Sequence, residues 1–311
     1  MANCFGIDTS NYTTSAALFH KGRIDQQKQL LPVKAGQLGL RQSDAVFHHV
    51  QQLPQIAEML LRQSEEITAI GVSARPRDQE GSYMPCFTVG YGFGKSLADA
   101  LHVPLYTFSH QSGHIAAALY SAGQLPLREK RFLAYHVSGG TTEAVLVTPD
   151  KETVFAAEIV SQSLDLKGGQ AVDRTGLLLG LPFPAGRALE ELALQWAEPI
   201  RVKPTMKGND FCLSGIENQC QTLEKQGVPK PYIARYCLEA LSAALEESCK
   251  GLLNQYGELP VVFAGGVMSN GIIRENLTRQ FGAYFAAPEF STDNAAGIAI
   301  LAAIRQGEPL C

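Results

Sequence analysis

Apolar and polar positions alternate along the chain in a repeating way. "NCFGIDTSNYTTSAALFHKGRI" reads as an apolar strand, a turn of Asp, Ser, Thr and Asn, and a second strand. "RFLAYHVSGGTTEAVLVTPD", residues 131–150, has the same layout around Ser138, Gly139, Gly140, Thr141 and Thr142. Two strand–polar turn–strand units in one chain point to a duplicated lobe.

Helical periods separate these units. Val46, Val50, Leu53, Ala57, Leu60 and Leu61 share one face, predicting an amphipathic helix over 43–62 that tolerates Pro54. "ITAIGVSA" reads as a buried strand, "GYGFGKSLADAL" opens a helix, and "PLYTFSH" is a strand leading into "HQSGHIAAAL". Residues 165–255 read as mostly helical, most clearly at 232–254, where Ile233, Cys237, Ala240, Leu241, Ala244, Leu245 and Leu252 line one face. "LPVVFAGGVMSN" is a strand running into a Gly-Gly turn, "AYFAAPE" is a short strand, and "TDNAAGIAILAAI" is a closing helix capped by Thr292, Asp293 or Asn294. Strands alternating with helices indicate an α/β fold.

Three strands end in turns able to offer backbone N–H groups to an anion: Asp8-Thr9-Ser10-Asn11, Ser138-Gly139-Gly140-Thr141 and Gly265-Gly266-Val267. They fit a nucleotide site, and they also fit ordinary hairpin turns. "VGYGFGKS" fails as a phosphate-binding P-loop because Val89 stands where the first glycine is required, so Gly90, Gly92 and Gly94 are expected to serve helix packing.

His110 and His114 are one helical turn apart, so both imidazoles can face one ion. Gln111 replaces the glutamate that a zinc protease needs after its first histidine, which argues against peptidase chemistry. The spacing alone leaves a metal pair and two polar residues at a helix start both open. Asp293 likewise reads as an oxygen ligand or as a helix cap.

The 311 residues, 45% of them hydrophobic, suffice for two domains or one large α/β domain. The 18% charged fraction and the dispersed 29 glycines and 16 prolines exclude a disordered or low-complexity chain. The N-terminus lacks a basic flank and an apolar signal core, and no run is long enough to span a bilayer, so no membrane association and a cytoplasmic location are expected. Seven cysteines without a CxxC pair suit reduced, mostly buried thiols. A net charge of −4 neither favours nor excludes RNA.

Six segments in order, "HQSGH", "VSGG", "SLDLKGGQAVDRTGLLLGLPFPAG", "FCLSG", "AGGVMSN" and "STDNAAG", resemble the tRNA threonylcarbamoyladenosine transferases, formerly described as O-sialoglycoprotein endopeptidases or glycoproteases. The resemblance runs over about residues 4–304. It implies two ribonuclease-H-like lobes of the actin/Hsp70/sugar-kinase type with a ligand cleft between them. The first lobe is expected over 1–108, completed by the helix at 294–306, and the second over 109–293 with a helical insertion at about 165–255.

The resemblance also implies one divalent metal ion, Fe2+ or Zn2+, on His110, His114 and Asp293. An adenylate-type ligand, threonylcarbamoyl-AMP or ATP/AMP, would lie on Ser138, Gly139, Gly140, Thr141, Asp173, Gly186 and Asn270. The implied reaction moves a threonylcarbamoyl group from its adenylate to the N6 amine of a tRNA adenosine, with partner proteins of that pathway. Asp8 is expected to organise metal-bound water.

Three segments depart from the family pattern. "DTSNYTTS" places Tyr12 and Thr13 where the family has an acidic pair, "SGGTT" has Thr141 in place of histidine, and "ARPRDQEGSYMP" replaces a glycine-proline-glycine loop. Two expectations follow for a divergent paralogue. One is a metal-dependent carbamoyl-type transferase; the other is a non-catalytic nucleotide- and metal-binding relative that acts through partner proteins.

Overall fold

The computed structural model describes residues 2–10, 12–32, 40–64, 66–292 and 295–308. The chain divides into two compact units, Met1–Lys130 with Thr148–Ala157 and Glu289–Cys311, and Arg131–Val147 with Glu158–Pro288.

The first unit opens with strands β1 (Asn3–Ser10), β2 (Thr13–His20) and β3 (Arg23–Leu30), an antiparallel meander pairing Ser10 with Thr13 and His20 with Arg23. Helix α1 (Gln42–Leu61), β4 (Ala69–Arg75), α2 (Phe87–Leu101), β5 (Leu105–Ser109) and α3 (His110–Ser121) follow. β4 and β5 add in parallel, giving the order β3-β2-β1-β4-β5. Every residue of β1 is buried, and Phe5 and Ile7 pack with Leu53, Ile56, Leu60, Ile70 and Val72 in one core.

The second unit contains β6 (Phe132–Val137), β7 (Thr142–Asp150) and β8 (Val154–Gln162) apart from the stretch Thr148–Ala157, and α4 (Gly168–Leu178) and α5 (Gly186–Ala193). It continues with β9 (Met206–Lys207), β10 (Asp210–Phe211), α6 (Ser214–Lys225), α7 (Lys230–Tyr256), β11 (Val261–Ala264), α8 (Gly271–Phe281) and β12 (Tyr284–Phe285). Its main sheet has the order β12-β11-β6-β7-β8, with β6 and β7 antiparallel and β11 parallel to both β6 and β12. Counted over the strands of each five-stranded sheet in chain order, both sheets therefore run third, second, first, fourth, fifth. The repeat seen in the amino-acid pattern is a repeat of topology.

The last helix, α9 (Ala296–Arg305), belongs to the first unit and lies directly on its sheet. The sheet offers glycine where the helix backbone touches it: a Cβ on Gly6 would stand 2.5 Å from the Ala299 amide nitrogen, and one on Gly71 2.8 Å from the Ile298 carbonyl oxygen. The sequence reading broke the chain at residue 108, whereas the compact units break after Lys130, because α3 packs against α9.

Several details differ from the pattern-based expectations. β3 is a mostly polar, partly exposed strand, so it carries no apolar alternation to reveal it, and the two-residue strands β9 and β10 interrupt the stretch expected to be mostly helical. Val50 is 56% exposed rather than on the buried face of α1. The N-cap of α9 is Ala295, without a side-chain cap bond, and Thr292 instead accepts a 2.8 Å hydrogen bond from Lys28 Nζ. Asp293 and Asn294 lie outside the described residues. Gly90 and Gly94 do serve packing, against Thr9 and Val72, but Gly92 borders open space. Cys4, Cys86, Cys220, Cys237 and Cys249 are buried free thiols, as expected of reduced core cysteines, and Cys311 lies outside the described residues.

Candidate functional site

In the first unit the site begins with the junction of β5 and α3. Ser109 ends the strand in extended backbone, and its hydroxyl accepts from the Ser112 amide at 3.0 Å, capping the helix. The next residue, His110, therefore occupies the first helical position, and His114 stands one turn later on the same face.

β1 supplies the third member. The Asp8 side chain is 1% exposed; its Oδ1 accepts from the Ser10 amide at 2.8 Å and its Oδ2 lies 2.6 Å from His110 Nδ1. A carboxylate only accepts, so Nδ1 carries the proton of that bond and Nε2 of His110 is directed elsewhere. It meets His114 Nε2 at 3.0 Å, the rings standing edge to face at 75°.

A hydrogen-bonded carboxylate behind one imidazole, with a second imidazole converging on its far nitrogen, is the donor chemistry of a histidine metal site. Nitrogens each about 2.0–2.1 Å from one ion must lie within about 4 Å of each other, a condition this pair meets. Among the described residues no set of three His, Cys, Asp or Glu could hold a metal, and Asp293 is outside them. The segments carrying the two motifs nevertheless meet. α9, which begins just after Asp293, crosses α3 where Gly297 approaches Gly113 so closely that a Cβ on Gly297 would overlap the Gly113 carbonyl.

Behind Asp8 lies a polar chain in the core. Gln52 Nε2 donates to the Leu30 carbonyl at 3.4 Å, Gln52 Oε1 accepts from Thr14 Oγ1 at 2.7 Å, and Thr14 Oγ1 lies 2.8 Å from His49 Nδ1. The threonine proton is committed to Gln52, so His49 Nδ1 is the donor. Burial lowers the His49 pKa to about 4, against the opposing charge of Asp8.

In the second unit Ser138, Gly139, Gly140, Thr141 and Asn270 follow the carboxyl ends of two parallel strands, β6 and β11, while Asp173 lies on α4 and Gly186 begins α5. The Ser138 amide donates to the Thr141 carbonyl at 2.7 Å, and Ser138 Oγ accepts from the Thr141 amide at 3.0 Å and the Gly140 amide at 3.3 Å. Thr142 Oγ1 accepts from the Gly168 amide at 2.8 Å, and the Gly169 amide donates to the Ser138 carbonyl at 3.0 Å, seating the start of α4 on this turn. A Cβ on Gly169 would fall 2.5 Å from the Gly139 nitrogen. The other glycine turn is equally close: Gly265, at φ 101°, would place a Cβ on the Val137 carbonyl.

Gly139, Gly140, Gly186 and Gly266 behave differently, since a Cβ on any of them would meet nothing within 4 Å. Asp173 Oδ1 accepts from the Ala185 amide at 2.8 Å and so holds the entry to α5, where Gly186 is the first residue. Asn270 caps α8 through a 3.1 Å bond from the Ile273 amide and is 8% exposed. In this unit Asp173 and Asn270 each brace a backbone turn, and the open glycines have no crowding neighbour.

Sequence reasoning missed two anchoring carboxylates. Asp78 bonds Ser109, Ser112 and Arg75, and Asp165 accepts from the Leu213 amide at 2.7 Å and from Ser214 Oγ at 2.5 Å. The second ties two family motifs, "SLDLKGG" and "FCLSG", to each other. Apart from Arg75, three residues before Asp78, these partners are 31 to 49 positions away, so no local pattern signals the anchors.

Solved structures share this architecture. Full-length HypF in a phosphate- and nucleotide-bound form matches at a TM-score of 0.60 and 13% identity, covering 99% of this chain, which spans only 46% of that one. Component A of the (R)-2-hydroxyglutaryl-CoA dehydratase of Acidaminococcus fermentans matches at 0.55 and 16%, over 99% of both chains. A ROK family glucokinase from Streptomyces griseus, solved with glucose and AMPPNP, matches at 0.54 and 14%, over 98% of this chain and 100% of its own. These likenesses establish the two-lobed fold of the actin/Hsp70/sugar-kinase type. The family model "TsaD: tRNA N6-adenosine threonylcarbamoyltransferase" matches residues 28–300, so the chain belongs to that family of tRNA-modifying transferases.

Proposed function

We propose that this chain transfers a threonylcarbamoyl or related carbamoyl group from an adenylate to the N6 amine of a tRNA adenosine, and that it uses a divalent ion, Fe2+ or Zn2+, to do so. The observation that carries this reading is the convergence of His110 and His114 at 3.0 Å with Asp8 on the far side of His110. His110 and His114 would hold the ion, with Asp293 as the oxygen ligand that the family motif supplies. A bound ion supplies Lewis-acid polarisation of a carbonyl or phosphoryl oxygen.

The chain's own groups do the remaining work. Asp8 keeps the proton of His110 on Nδ1 and fixes the ring plane, so its part in this reading is to orient a metal ligand. The amides of Gly139 and Gly266 would hold the adenylate's phosphate, with no side chain standing over Gly139, Gly140 or Gly266. Phosphate at a strand's carboxyl end fits the general placement of ligands in open α/β sheets.

The test uses the purified chain with threonylcarbamoyl adenylate, tRNA and the pathway's partner proteins. The wild type is expected to carry stoichiometric metal and to yield the modified nucleoside, read by liquid chromatography and mass spectrometry. His110→Ala should lose both. A wild type that holds metal and binds AMP yet never yields the nucleoside would make the chain a non-catalytic binding relative. A chain that binds no adenylate would overturn both readings.

A further inference from the structure

The connection from β4 to α2 wraps the first turn of α3. The register of β4 on β5 slips between Ser73 and Arg75, which brings Arg75 opposite Ser109. From there the Pro76 carbonyl accepts the Gln111 amide at 3.1 Å, satisfying a helix-start donor that no helical carbonyl can reach.

Asp78 completes the wrap. Its Oδ1 is 2.6 Å from Arg75 Nη2, and its Oδ2 is 2.7 Å from both Ser109 Oγ and Ser112 Oγ. The two hydroxyls are themselves 2.8 Å apart, so of their two protons at least one must go to Asp78. The carboxylate is also largely enclosed, its side chain 13% exposed. It thus ties the cap residue, the third helical residue and the preceding strand into one unit. His110 and His114 stand on the turn held in this way.

We infer that Asp78 is a positioning residue for the imidazole pair: through Ser109 and Ser112 it sets the rotation of the first turn of α3, and so the direction of the His110 and His114 rings. Ser109 alone already caps the helix, so Asp78 is not needed for helix formation. What it adds is a fixed bearing of that turn relative to β4 and β5. This inference rests on the metal reading proposed above.

The experiment titrates the full-length apo chain with Co2+, following the visible spectrum of the ion and binding by calorimetry. Asp78→Ala is expected to weaken Co2+ binding by about 10–100-fold, the usual cost of losing an outer support, and to change the band pattern. Asp78→Asn keeps an acceptor for the serines and should restore most of that affinity. Both are measured well below their melting temperatures, and Ser112→Ala serves with the same readouts if Asp78→Ala does not fold. Wild-type affinity and spectrum in folded Asp78→Ala, or in Ser112→Ala, would overturn the inference alone. A wild type with no Co2+ site would overturn it together with the metal reading.

Discussion

The two halves of the molecule repeat one sheet topology but equip it with different chemistry. On the reading proposed above, the functional atoms of the first unit belong to side chains: Asp8 and His110 are joined by a 2.6 Å bond, and His110 meets His114. In the second unit they would belong to the backbone, and the side chains of Asp173 and Asn270 each hold a turn. The same sheet topology therefore carries converging imidazoles after β5 in one unit and open glycines after β6 and β11 in the other, which on the reading proposed above would hold a divalent cation and a phosphate. Side-chain sites should tolerate truncation at the cost of binding, and backbone sites should not tolerate added atoms.

The largest effect is expected where the second unit's strands touch. Gly265→Ala must fit a methyl group against the Val137 carbonyl at a φ of 101°, so overpacking and backbone strain add. We expect a loss on the order of 3–5 kcal/mol in urea unfolding, a large part of a typical domain's stability. A loss under about 1 kcal/mol would mean that β6 and β11 separate readily, and the backbone account of this unit would be wrong.

The next effect belongs to the first unit and depends on acid. The buried His49 has its pKa lowered to about 4, mainly by burial, against an ordinary value of 6.5. Between those values the unfolded chain binds a proton that the folded chain refuses. Stability from this group is therefore complete above about pH 6.5 and drains away as pH falls towards 4, by roughly 2–4 kcal/mol in all. Urea titrations at pH 7 and pH 4.5 should show the loss, and His49→Gln should flatten it. An equally steep loss in His49→Gln would assign the acid response to other groups.

How much of this was legible in the amino-acid pattern follows the same division. The duplicated strand–turn–strand units and the face of α7 were readable because burial there follows the strand and helix periods: all seven residues assigned to the α7 face are buried. The histidine pair was readable because both members lie one turn apart on one helix. Its link to "STDNAAG" came only from family resemblance, and physically it runs through the Gly113–Gly297 crossing, which no period encodes. Asp78 was seen only as a departure from a family loop, since its partners Ser109 and Ser112 lie 31 and 34 positions away. β3 stayed hidden because an edge strand with polar residues on both faces looks like a loop.

The smallest structural effect is the most diagnostic. Gly139→Ala adds a methyl group where nothing stands within 4 Å, so unlike Gly265→Ala it should change stability by no more than about 0.5 kcal/mol. If the open glycines exist to admit a phosphate, the same methyl group should crowd the ligand, and AMP binding measured by calorimetry should weaken with the fold intact. Gly92→Ala, which also borders open space but lies on α2 of the first unit, is the matched control and should leave AMP binding unchanged. Unchanged AMP affinity in folded Gly139→Ala would remove this turn from the ligand site, and the contrast between side-chain and backbone chemistry would then rest on Gly266 and the β11 turn.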